Sequence, residues 1–161
     1  MLVDFEKLSL VSRVWIYQSN RSFTDDEINK INLQISDFLK SWTAHGNDLQ
    51  AAFLIKYKRF IILSIDESFN KVTGCSIDSS VRFIQELESI YNINLLDKMN
   101  VSYKHGEFIA YKPLSDFKKM IKNKSISPNT IVFNNLVVNK HEFLENWEVP
   151  AIESWHGRFF K

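Results

Sequence analysis

The stretch VTGCSIDSS (72–80) holds Cys75, the only cysteine of the chain. A thiol at a helix start meets unpaired amides and the positive end of the dipole, which favour the thiolate and its nucleophilic chemistry. Gly74 permits a sharp turn, and Ser76, Asp78 and Ser79 are each competent N-caps. Candidate bases are Asp66, Glu67 and Asp78, with His45, His105, His141 and His156 elsewhere. No Cys–His signature frames the thiol, and free cysteines beside residues such as Ile77 and Val81 usually pack as small apolar groups. The expectation is a buried plug. A small enzyme using Cys75 with Asp66, Glu67 or Asp78 is the alternative.

SIDES (64–68) sets two acids at a strand end, a pairing that can serve as acid and base or hold a divalent ion. Acids at strand ends are ordinarily solvated, and no D-x-D-x-D-G loop accompanies these. The four histidines lack H-x-x-H and H-E-x-x-H spacing, so no metal and no cofactor is expected. QSNRS (18–22) offers Arg21 as an anion contact, or as part of the capping turn before Thr24.

Two surfaces stand out as binding candidates. WEVPAIESWHGRFFK (147–161) gathers Trp147, Trp155, Phe159 and Phe160 around Arg158, the residue types that dominate interface hot spots. Four aromatics in a terminal stretch need cover. The expectation is that the tail folds back as a clasp over the junction between the two parts, with His156 and Arg158 nearer solvent; a docking surface is the alternative. Tyr103, Phe108 and Tyr111 join the partner-binding candidates. The second surface is Lys112, Lys118, Lys119, Lys122 and Lys124; residues 98–124 carry seven lysines against Glu107 and Asp116. A solvated face is the plain reading, and RNA or ribosome association the functional one.

A formal net charge of +1 over 161 residues argues against a dedicated nucleic-acid binder, and no DNA partner is expected. One cysteine cannot close an internal disulfide, which suits a reducing compartment. Asp4 and Glu6 lie within the opening residues, so no signal peptide is expected, and no stretch nears 18 consecutive apolar residues. These features predict a cytoplasmic protein without a membrane partner.

The elements that must position these residues read as follows. RVWIYQ (13–18) is a strand. The next helix opens with the capping pair Thr24 and Glu27 and carries Ile28, Ile31, Ile35, Phe38 and Trp42 on one stripe, with Gly46 past its end. LQAAFLIKY (49–57) and RFIILSID (59–66) predict a hairpin around Lys58 and Arg59. A second helix runs from about Ser76–Ser79 to Tyr91, burying Val81, Ile84, Leu87 and Tyr91. Strand, helix, strand, strand, helix is most of a ferredoxin-like split β-α-β unit. Beyond it, VSYKHGEFIAY (101–111) predicts a hairpin at His105-Gly106, and PLSDFKKMIKN a short helix capped by Ser115. IVFNNLVV is read as turning at Asn134-Asn135, and Asn139 with Glu142 opens a last helix that stops before Pro150.

Tyr103, Gly106, Glu107, Leu114, Phe117, Ile121, Ile126, Thr130 and Val132, with Trp147 and Pro150 beyond, resemble the pattern of small bacterial GYF-like domains. The likeness covers about a third of the chain. It implies a hairpin, one helix and a further strand pair, and a peptide-docking role. The Gly-Tyr-Phe triplet itself is missing, and the glycine that follows the helix in such domains is replaced around Asn123–Ser125. Over its whole length the chain also resembles uncharacterised small Bacteroidetes proteins often labelled ABC transporter ATPases. That chemistry needs G-x-x-x-x-G-K-[ST], and none of Gly46, Gly74, Gly106 or Gly157 is followed by Lys.

The expectation is thus an α+β protein: a ferredoxin-like part (1–99) packed against a GYF-like part (100–150), then an aromatic tail (151–161). Its expected role is a non-catalytic accessory or adaptor protein for a protein or peptide partner.

Overall fold

The computed structural model describes residues 1–42, 49–68 and 71–161. His45 and Gly46, named above, lie outside the described residues. The protein is α+β, and its described residues form two antiparallel sheets. It divides into two compact units, Met1–Leu96 with Val138–His141, and Asp97–Val137 with Glu142–Lys161.

In the first unit, β1 (Arg13–Gln18) leads into α1 (Asp25–Trp42). The capping box forms as its spacing predicts: Glu27 N–H donates to Thr24 Oγ1 at 3.1 Å and Thr24 N–H to Glu27 Oε1 at 2.9 Å. Ile31, Ile35, Leu39 and Trp42 are its buried residues, while Ile28 and Phe38 flank them. Then come β2 (Gln50–Lys56) and β3 (Phe60–Asp66), joined by a turn in which Arg59 N–H donates to the Lys56 carbonyl at 3.0 Å. Tyr57 and Lys58, one residue earlier than the expected turn, adopt the positive φ (56° and 54°) that tight hairpins require.

The sheet order is β1-β3-β2, with β3 antiparallel to both neighbours. β1 and β2 are therefore parallel and connected through α1, with β3 inserted between them. This is the split β-α-β arrangement. α2 (Gly74–Tyr91) adds Ile84 and Leu87 to the shared core and ends at Asn92 in the left-handed region (φ 51°).

The chain returns to this unit at 138–141, which its sequence did not announce. Val14 N–H donates to the Val138 carbonyl (3.0 Å) and Lys140 N–H to that of Ser12 (2.8 Å), around the bridge Arg13↔Asn139. LVV (136–138) is thus no return strand beside IVF; Val138 extends the edge of β1 instead. The buried Lys140 ammonium donates to the carbonyls of Phe5 (2.8 Å), Glu6 (3.1 Å) and Leu8 (2.8 Å).

The second unit starts with the hairpin β4 (Asn100–His105) and β5 (Phe108–Pro113). Its two turn residues are Gly106 and Glu107 rather than His105 and Gly106, with Gly106 at φ +61°. α3 (Leu114–Lys122) follows with Pro113, not Ser115, at the N-cap. β6 (Ile131–Phe133) and β7 (Glu148–Pro150) complete a sheet of order β5-β4-β6-β7; α4 (Lys140–Asn146) precedes β7. Val101, Tyr103, Phe117, Ile126, Val132 and Ala151 form the core. Among the described residues no helix is long and apolar enough to cross a membrane.

Candidate functional site

Cys75 is exposed, which overturns the buried-plug expectation. α2 begins at Gly74, so Cys75 is its second residue, and the cap is Thr73 rather than Ser76, Asp78 or Ser79. Ser76 N–H donates to Thr73 Oγ1 at 3.1 Å. An earlier helix start rotates Cys75 to the solvent side, while Ser80, Ile84 and Leu87 take the buried positions. Two of the candidate bases, Asp66 and Glu67, are engaged elsewhere. Asp66 accepts the Ser68 N–H at 2.8 Å and its hydroxyl; Glu67 accepts the Val72 N–H at 3.0 Å and lies 3.8 Å from the Arg13 guanidinium. Asp78 is exposed. Among the described residues no group of three or more His, Cys, Asp and Glu is placed to hold a metal ion.

Arg21 does not present itself to an anion. Its guanidinium grips Glu27 through two bonds of 2.8 Å and donates to the Tyr91 carbonyl at 2.7 Å. Those bonds hold the Glu27 carboxyl down at about 2. The residue ties α1 to the end of α2.

The aromatic candidates of the second unit separate by burial. Tyr103 and Trp147 are each 4% exposed and belong to its interior. Tyr103 stacks at a tilt on Phe117 (5.8 Å between centroids), and burial raises its hydroxyl pKa. Trp147 packs between Phe133 and Phe143 (4.9 Å each) and donates its indole N–H to Asn135 Oδ1 at 2.9 Å. Both rings are covered by the packing of the unit itself. Phe108, at 76% exposed, lies at the hairpin tip, and Tyr111 is half-buried on β5.

The tail forms two 3-10 segments, Ala151–Glu153 and Trp155–Phe160, and lays Trp155, Phe159 and Phe160 against the core of the second unit. His156 is not near solvent as expected; it is fully buried, between the Trp155 ring (3.8 Å) and Phe117 (5.6 Å). Its Nδ1 shares a 2.7 Å hydrogen bond with Ser154 Oγ. Gly157 allows this fold-back, since a Cβ there would lie 2.9 Å from the Ile152 carbonyl oxygen. Arg158 stays exposed, its guanidinium over both Trp155 (5.6 Å) and Phe159 (5.2 Å). Lys118 on α3 approaches the Phe159 ring at 4.8 Å. The result is a surface of half-buried rings topped by two cations. Lys112, Lys119, Lys122 and Lys124 are likewise exposed.

The first unit carries a feature that the sequence reading passed over, an open groove of about 1090 Å³ between α1, β2 and residues 1–7. Its apolar wall includes Ile28, Phe53, Leu54 and Ile55. The available signal was AAFLI (51–55), five apolar residues in a row on a strand that, among the described strands, pairs with β3 alone. Compared with known families, curated proteins and solved structures, the chain matches no family model, no curated protein and no solved structure.

Proposed function

We propose that the protein is a non-catalytic, cytoplasmic accessory or adaptor protein that docks a protein or peptide partner. The supporting observation is the Arg158 guanidinium held over the Trp155 and Phe159 rings, with Lys118 on the same ring of Phe159. Arg and large aromatics are the residue types that concentrate binding energy, and the rings are already ordered by the core beneath them. A cationic rim of this kind suits an acidic segment of the partner. The resemblance of Tyr103–Val132 to GYF-like domains points the same way, toward peptide docking by this unit.

A second reading, association with RNA or the ribosome, draws on the exposure of Lys112, Lys118, Lys119, Lys122 and Lys124. Affinity purification of the intact protein from its own cells, repeated with Arg158→Glu, separates the two. A stoichiometric protein lost on Arg158→Glu supports the adaptor reading. Co-purifying RNA, released steeply by salt, overturns it in favour of the second.

A further inference from the structure

β2 is an edge strand, and among the described residues only part of its edge is used. Ala51 turns its backbone away from β3: its N–H donates to the Met1 carbonyl (3.0 Å) and its carbonyl accepts the Val3 N–H (2.9 Å). That is the parallel bridge Leu2↔Ala51. In an antiparallel pair, successive residues aim their N–H and C=O alternately toward and away from the neighbouring strand. With Ala51 aimed outward, Ala52, Leu54 and Lys56 face β3 opposite Ser64, Ile62 and Phe60. Phe53 and Ile55 then aim outward. After Val3 the N-terminal segment turns into the 3-10 helix Phe5–Lys7, which stays beside β2 and lines the far side of the groove. The outward amides and carbonyls of Phe53 and Ile55 thus face the groove that these two residues line.

The edge lacks the devices that keep strands apart. From Ala51 to Ile55 it contains no charge, no proline and no bulge, and its first charge is Lys56. The side chains of Phe53 and Ile55 lie on the α1 side with Ile28, all three only partly covered. We propose that Phe53–Ile55 is a docking site where an extended segment of a partner protein adds to the sheet as a strand. The occupant is an extended stretch with apolar residues at alternate positions. Its backbone meets the outward groups of Phe53 and Ile55, and its apolar side chains seat on Ile28, Phe53 and Ile55. Met1–Val3 already occupies the adjoining length of this edge in the same manner, so the site continues an interface the fold itself uses. The inference rests on the accessory-protein reading but concerns a different unit from the Arg158 surface.

The test uses the intact protein and peptides selected on it from a random linear phage library. In the free protein, the amides of Phe53 and Ile55 exchange with deuterium at least about tenfold faster than those of Ala52 and Leu54. A selected peptide protects both. N-methylating the alternate peptide amides, or replacing Ile55→Pro to delete one outward N–H, weakens binding by about tenfold, the worth of one or two hydrogen bonds. Ile55→Lys, which keeps that N–H and charges the groove, also weakens it, so the proposal stands even if the proline variant fails to fold. Slow exchange at Phe53 and Ile55 in the free protein, or failure to select any peptide, overturns the proposal. So does protection that grows with protein concentration alone, because the occupant is then a second copy of the chain. Peptides that map instead to Trp155 and Arg158 overturn this site while leaving the proposed function standing.

Discussion

Lys140 is tied twice to Phe5: its ammonium donates to the Phe5 carbonyl at 2.8 Å and lies 5.0 Å from the centre of the Phe5 ring. The Glu6 and Leu8 carbonyls complete the cage, so the charge is buried but satisfied by three acceptors. Removing the ammonium strands those acceptors. Lys140→Met is expected to destabilise the protein by about 2–4 kcal/mol in denaturant unfolding, since hydrogen bonds to charged groups each contribute more than neutral ones. A loss below about 1 kcal/mol would show that the cage is incidental.

His156 predicts an acid limb. Burial, reinforced by the nearby Arg158 charge, lowers its pKa from 6.5 to about 4. The folded state thus prefers the neutral ring. Its contribution is full above about pH 6.5 and is lost as the pH falls from there through about 4, at most roughly 3 kcal/mol. His156→Gln, neutral throughout, is expected to flatten stability across that window. Glu27, held near 2 by Arg21, loses its contribution only at lower pH, between about 4.5 and 2. Urea melts at stepped pH test this; an unchanged slope between pH 6.5 and 4 in the Gln variant rules it out.

Cys75 is expected to react with a water-soluble thiol reagent almost as fast in the native protein as in the denatured one, because it is exposed. Cys75→Ser should shift stability by no more than about 0.5 kcal/mol, as surface substitutions do. Slow native modification followed by rapid modification on unfolding would restore the plug.

The tail is expected to be structural before it is functional. Trp155→Ala removes a ring that packs on the second unit's core and costs about 2–4 kcal/mol, below the range for a fully buried ring because Trp155 is half-covered. Gly157→Ala, which forces a Cβ to within 2.9 Å of a carbonyl oxygen, costs about 1–3 kcal/mol. Arg158→Ala should leave the melting temperature nearly unchanged while reducing partner recovery. Deletion of residues 153–161 without any drop in melting temperature would contradict the packing.

The parts legible in the sequence are those made by residues close in the chain. The Thr24–Glu27 box spans three residues, the stripe of α1 repeats each turn, and the hairpin at Gly106 needs one glycine at positive φ. The same locality gave the strand order its first half, since strand, helix, strand, strand leaves few ways to pair. Placement across the chain was not legible. Lys140 finds its acceptors 135 residues away at Phe5, and Arg21, read as an anion contact or part of the capping turn, finds the Tyr91 carbonyl 70 residues on, so neither placement shows until the fold brings those groups together. Whether a side chain is covered also depends on the whole packing. Trp147, Tyr103 and His156 went inside while Cys75 stayed out, because helix phase and neighbouring rings, not residue type, decide which atoms leave water. AAFLI reads as a strand from its composition alone. Its place at an edge, with Ala51 covered and Phe53 and Ile55 facing outward, follows from how β2 pairs with β3 and where Met1–Val3 lies.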